Sequence, residues 1–378
     1  MNSTRSKSSR RGGSTKTAGS LAMPMPLWTW AWPLVAWVIL VAALFLGAGG
    51  LIVSAAGVAL IGTVFAAVYH AETVAHRIGE PFGTLVLAIA VTVIEVALIV
   101  SVMIAAPVEK AGLARDTVFA AVMIVCNGIV GLCLLAGGAR HGEQGFQIHG
   151  ASTALAVLAP LTILSLVMPN VATTAPGPFF STSQLVFAGT VSLLLYGSFV
   201  FIQTVRHRDY FLPAVGGKEE PHGPPPSDRA ALLSAALLIV ALVAVVGLAK
   251  VLTPAVEAGI ALTNVPKAVV GIIIAGLVLL PESLAAVRAA RANRLQTSLN
   301  LALGSALASI GLTIPAVAVL SIVLNKPLEL GLGAKDQMLL GLTLLVGVIT
   351  LGTGRTTVLQ GVVHLVIFAT FLFFAIVP

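Results

Sequence analysis

The chain has 378 residues, 58% of them hydrophobic and 9% charged, with a mean hydropathy of +1.04; soluble domains carry roughly 45–50% apolar residues. Its formal charge of +7 does not imply a nucleic-acid partner, because the basic residues are scattered between apolar runs or gathered in the N-terminal tail, as membrane topology places them. These features exclude a soluble globular protein, and the short alternating strands of a transmembrane barrel are not seen, so the fold class is an all-α membrane protein surrounded by lipid.

The tail, residues 1–26, is rich in Ser, Gly, Lys and Arg and has no carboxylate, which predicts a disordered basic segment on the cytoplasmic side. It resembles the start of a signal peptide. The apolar run that follows, Leu27 to Leu46, is too long for one and reads as a retained extra span. Runs long enough to cross, cut at Pro, Gly and charge clusters, give eleven spans: 27–46, 51–69, 83–105, 116–137, 151–168, 182–204, 230–250, 267–290, 297–321, 337–352 and 355–377.

The long polar interruption, RHRDYFLPAVGGKEEPHGPPPSDR, predicts a cytoplasmic linker over 205–229. It separates a first five-helix unit, 51–204, from a second, 230–378. Five crossings reverse the chain direction, so related halves would form an inverted repeat. With the tail inside, 15 of the 21 Lys and Arg residues fall on the cytoplasmic side and six, Lys110, Arg115, Lys250, Lys267, Lys326 and Lys335, outside. That bias predicts eleven spans in a bacterial inner membrane, with the N-terminus cytoplasmic and the C-terminus on the opposite side.

In the second span, His70 and Glu72 stand where the helix is expected to emerge, and Glu80 precedes Pro81 at the start of the third. They are candidates for an access path for cations or protons, or are solvated helix ends. The third span, LVLAIAVTVIEVALIVSVM, places Glu95 near the middle of an apolar run, three residues after Thr92 and on the same helix face. In the fourth, Cys126 and Cys133 read as small hydrophobes, and Asn127 is the one amide.

The eighth span corresponds in position to the third. Glu282 lies in GLVLLPESLAAVRAA, preceded by Pro281, which is expected to kink the helix, and followed by Ser283. A central acid costs about 2.5–3.5 kcal/mol on insertion scales and usually faces a cavity or an ion. Glu95 and Glu282 each sit in the second span of their own half, so an inverted repeat would bring them together at mid-membrane. On the ninth span Ser305, Ser309 and Thr313 fall at intervals of four; beside small residues such as Gly304 they read as packing hydroxyls or as ligands. Gln360 and His364, four apart on the last span, are placed to hydrogen-bond each other.

Oxygen-only ligands with no His or Cys cluster suit hard cations, Ca²⁺, Na⁺ or K⁺. Two carboxylates in low dielectric do not comfortably both stay ionised, so a cation entering expels protons, and protons expel the cation. That is the logic of an antiporter. A cation channel with a carboxylate selectivity site is the alternative; an intramembrane enzyme using two carboxylates is a third and is not expected. No resident cofactor is expected, the partners being the transported cations and protons. No nucleotide is implied, because G-x-x-x-x-G-K-[ST] is missing.

Residues 70–103, HAETVAHRIGEPFGTLVLAIAVTVIEVALIVSVM, and 281–321, PESLAAVRAARANRLQTSLNLALGSALASIGLTIPAVAVLS, resemble the two α-repeats of the cation/proton exchangers in the calcium/cation antiporter superfamily. The branch they look most like is that of the ChaA-type sodium-potassium/proton and calcium/proton antiporters. The resemblance implies an ion site on Glu95 and Glu282, with Asn127 at an amide position and Ser305 in the GSA segment; Thr92 and Ser283 complete the candidate ligands. Where the calcium/proton exchangers carry GNATE and GNAAE, this chain has VTVIE at 91–95 and LLPES at 279–283. Two amide oxygens are thereby lost, a departure that counts against Ca²⁺, which takes about 6–8 oxygens.

Overall fold

A computed structural model of the chain describes residues 25–79, 82–105, 111–212, 226–263, 266 and 268–377. Glu80, most of the expected tail and much of the expected linker lie outside these residues. Eleven helices follow in order: α1 Leu27–Leu46, α2 Gly50–Ile78, α3 Phe82–Ala105, α4 Leu113–His141, α5 Ile148–Asn170, α6 Thr182–Arg206, α7 Asp228–Thr263, α8 Ala268–Arg291, α9 Leu295–Leu324, α10 Ala334–Leu351 and α11 Val358–Ile376. Among the described residues ten of them are long and apolar enough to cross a membrane, and α3 contains a shorter apolar stretch, Ile89–Val100.

Several helices outrun their expected bounds. The HAETVAHR stretch stays helical and packs on α7, so α2 runs to Ile78 and takes His70 inside the bundle. The α8 helix continues through Pro281 as one element. Two features carry no clear hydropathy signal. The middle of α4, Ile124–Ile129, is π-helical, a one-residue excess that shifts the faces on either side. Two-residue strands, β1 Gln144–Gly145 and β2 Arg355–Thr356, pair antiparallel outside the helices.

Contacts between loops sort the helix ends into two sides. On one side Arg77 pairs with Asp228, His141 Nε2 donates to the Arg291 carbonyl at 3.0 Å, Gln144 Nε2 donates to Asn293 Oδ1 at 2.9 Å, and β1 meets β2. This is the basic end, carrying Arg77, Arg140, Arg288, Arg291, Arg294 and Arg355. On the other side Arg115 donates to the Gly331 carbonyl at 3.1 Å and pairs with Asp116 and Glu329, and Phe179 bridges Glu329. Such alternation of sides from loop to loop is what eleven successive crossings require.

Of the ten helices long and apolar enough to cross a membrane among the described residues, α4 is the most completely buried, with 89% of its most apolar window inside the protein against 22% for α1. One core gathers α4, α5, α8 and α9, with Met123, Leu158, Leu299 and Ile310 shut off from solvent; a second joins α1, α2, α3 and α7 around Ala56, Ile94 and Leu248. Glycines set the closest crossings. A Cβ on Gly311 of α9 would lie 2.7 Å from Tyr196 Cβ of α6, and one on Gly361 of α11 would lie 2.9 Å from the Gly131 carbonyl of α4. Lipid-facing surfaces of α6, α10 and α11 remain apolar and exposed, as at Phe187, Leu345 and Phe373.

Candidate cation site

The α9 helix organises the polar interior. Its serines at 305 and 309 are one turn apart and share a face. Ser305 Oγ donates to Glu282 Oε2, and Ser309 Oγ donates to Glu95 Oε2. Both acids, from α3 and α8, are thus held by one helix of the second half. They line a cavity of about 80 Å³ together with Thr92 of α3, Tyr196 and Gln203 of α6, and Asn300 of α9. A space of that size holds several waters or a partly hydrated ion.

The cavity has a direction. Gln203 is three residues from the end of α6 and Asn300 five from the start of α9, and both ends lie at the basic side. Asn300 is held there: its Nδ2 donates to the Phe211 carbonyl at 2.6 Å, and its Oδ1 accepts from Gln296 Nε2 at 2.9 Å. From Asn300 the lining descends α9 to Ser305 and then Ser309, each turn adding about 6 Å. Glu282 is half-buried on this path, while Glu95, beside the deeper serine, is 3% exposed.

Of the residues singled out from the sequence, Glu95, Glu282, Thr92 and Ser305 come together around the cavity. Ser283 does not: its Oγ donates to the Leu279 carbonyl of its own helix at 2.6 Å, the usual back-bond of a helical hydroxyl. Asn127 does not line it either. Its Nδ2 donates to Thr343 Oγ1 of α10 at 2.9 Å, and its Oδ1 is 3.2 Å from His364 Nδ1 of α11. Amide oxygens only accept, so His364 carries its proton on Nδ1. The expected pairing of His364 with Gln360 is therefore replaced, and Gln360 instead completes a capping box with Thr357 at the start of α11.

The proposed access residues separate. His70 is fully buried, with Nε2 3.0 Å from the Thr29 carbonyl of α1 and Nδ1 3.3 Å from Ser234 Oγ of α7. It ties three helices and is not part of the cavity wall. Glu72 is exposed and does not line the cavity. Tyr196, Gln203, Asn300 and Ser309 are lining residues that sequence reasoning did not assign. Only Ser309 had left a signal, as one rung of the hydroxyl stripe.

A helical membrane bundle with two acids lining one small interior cavity fits a membrane protein that handles cations. The family model described as sodium/calcium exchanger protein matches residues 34–205 and 233–377, and the chain belongs to that family; it is a transporter and not an enzyme. It is 51% identical over 363 residues to the "Putative ionic transporter y4hA" of Sinorhizobium fredii, covering 94% of this chain and 97% of that one. With the "Sodium-potassium/proton antiporter ChaA" of Escherichia coli it shares 36% identity over 318 residues, 83% of this chain and 86% of that one. Among solved structures the fold is similar to that of native YfkE, with a TM-score of 0.72 at 16% identity over 93% of this chain and all of that one. It is also similar to the "H+/Ca2+ Exchanger CAX", with a TM-score of 0.69 at 13% identity over 91% of this chain and 87% of that one.

Proposed function

We propose that the protein is a secondary antiporter of the inner membrane that exports Na⁺, K⁺ or Ca²⁺ in exchange for protons, with Glu95 and Glu282 as alternating seats for the cation and the protons. The observation that carries this is the pairing of both acids with hydroxyl donors of one helix, around a shared cavity. A hydroxyl can donate to an ionised carboxylate or accept from a protonated one, so Ser305 and Ser309 serve either state without rearrangement. A small cavity of about 80 Å³ with Glu95 only 3% exposed suits alternating access better than a continuous pore. With the basic end cytoplasmic by the positive-inside rule, the cavity faces the cytoplasm and the cation is loaded there. The names of the Escherichia coli relative and of the H+/Ca2+ exchanger supply the proton and the candidate cations.

An inverted repeat of α2–α6 and α7–α11, preceded by α1, follows on the same reading. One family model matches both halves. Counterpart helices α6 and α11 both begin with a capping box, Ser181 with Gln184 and Thr357 with Gln360. The pairing of β1 with β2 at the basic end has its counterpart in the Phe179–Glu329 bridge at the other, and α4 packs on α11 as α9 packs on α6.

Everted vesicles loaded with a pH-sensitive dye test the exchange. Adding Na⁺, K⁺ or Ca²⁺ separately to acidified vesicles is expected to dissipate the proton gradient for at least one of them, and Glu282→Gln to abolish the response. Full activity in Glu282→Gln would remove the assignment of the site.

A further inference from the structure

Most helical threonines in this protein turn back on their own helix, although the buried serines Ser165, Ser192 and Ser298 have no partner among the described residues. Thr63 donates to the Ala59 carbonyl at 2.6 Å, Thr117 to Leu113 at 2.8 Å, Thr253 to Ala249 at 2.8 Å and Thr343 to Leu339 at 2.7 Å. Thr313 of α9 is an exception. It is fully buried, and among the described residues its Oγ1 has no hydrogen-bond partner. It stands one turn beyond Ser309 on the same stripe and faces the Glu95 carboxyl group. Glu95 Oε1 is likewise buried without a partner, its Oε2 being taken by Ser309.

Two buried oxygens, Glu95 Oε1 and Thr313 Oγ1, are thus left without a well-formed hydrogen bond, Thr313 standing one helical turn past Ser309 and just beyond the residues that line the cavity. Burying a polar atom without a partner is costly, and burying part of a carboxylate more so. A bare cation between the two satisfies both, the carboxylate supplying charge and the hydroxyl a neutral lone pair, which is the donor set of hard oxygen-seeking ions. We propose that Thr313 is a cation ligand, forming with Glu95 Oε1 the innermost subsite, where the ion sheds most of its water. This rests on the exchange reading above and adds an order to it: the ion passes Asn300, meets Glu282 and Ser305 first, and ends between Glu95 and Thr313.

Thr313→Val and Thr313→Ser separate this role from packing, since Val keeps the branched shape without the hydroxyl and Ser keeps the hydroxyl without the methyl group. The readout is cation protection of Glu95 against a hydrophobic carbodiimide in detergent-purified full-length protein, followed by mass spectrometry with Na⁺, K⁺ or Ca²⁺ chloride as probe. Thr313→Val is expected to raise the half-protecting concentration about tenfold, the order expected for a lost contact to a charged group, and Thr313→Ser to restore it. Wild-type protection in Thr313→Val, or equal loss in both variants, overturns the proposal. If Thr313→Val does not fold, Thr313→Ala against Thr313→Ser decides by the same criterion. Cation protection of the wild type without proton movement in vesicles would remove the exchange reading and leave the subsite standing; vesicle exchange with wild-type protection in Thr313→Val would do the reverse.

Discussion

Replacing Glu95 by Gln leaves the size of the side chain almost unchanged and removes its charge at a point that is 3% exposed. The structural consequence should be small. Ser309, which donates to Oε2, finds the amide oxygen in nearly the same place, and an acid that costs about 2.5–3.5 kcal/mol at the centre of a span is gone. The ion-free variant is therefore expected to be at least as resistant to heat as the wild type. The functional consequence is large, because a ligand that binds only the folded state stabilises it by about 2.7 kcal/mol at a hundred times its Kd. Thermal unfolding of detergent-purified protein, with and without a saturating transported cation at constant ionic strength, reads both effects. The wild type should gain stability with the cation and Glu95→Gln should gain none. A variant that keeps the whole cation-dependent gain would refute the placement of the ion on Glu95.

Asn127→Ala breaks the bond to Thr343 and removes the partner of His364 Nδ1; it should lower stability by about 1–3 kcal/mol while the cation-dependent gain in melting temperature survives. Ser309→Ala strips Glu95 of its one formed hydrogen bond and should raise the half-saturating cation concentration about tenfold in vesicle exchange. On α9, Gly311→Ala drives a Cβ to 2.7 Å from Tyr196 Cβ, an overpacking that costs about 1–3 kcal/mol. Gly304→Ala meets nothing within 4 Å and should instead gain up to about 1 kcal/mol from helix propensity, a contrast that melting curves of the two variants test. At the end away from the arginines, Arg115→Gln leaves Asp116 and Glu329 facing each other without their shared cation; a loss of about 2–3 kcal/mol is expected, partly recovered in the double variant with Glu329→Gln.

The two acids were legible in the sequence because an isolated carboxylate inside an apolar run is too costly to be incidental. What holds them was not. Ser309 lies 214 residues from Glu95 along the chain, and a stripe of hydroxyls at intervals of four looks the same whether it faces a carboxylate or its own backbone. Asn127 shows the opposite limit. It is the lone amide of its span and stands at an amide position of the resembled family, yet the π-helical stretch Ile124–Ile129 carries it and its bonds run to α10 and α11. Hydropathy gives no notice of a local change in helical repeat. His70 was misjudged for a related reason: HAETVAHR is polar enough to read as a helix end, but the stretch stays helical where α2 packs on α7, and His70 is buried there.

The sequence by itself determined that this is a bundle of eleven helices with a long polar break after the sixth, since in lipid the polar backbone groups of such apolar segments have few other ways to be satisfied. Residue type and depth alone also marked Glu95 and Glu282. Only the tertiary structure decided that one helix, α9, supplies a hydroxyl to each of them, and that the cavity they share is also lined by Gln203 and Asn300 near the arginine-rich end. Those facts depend on which helices touch, and contact between segments hundreds of residues apart is settled by glycine-lined close packing, which no local pattern records.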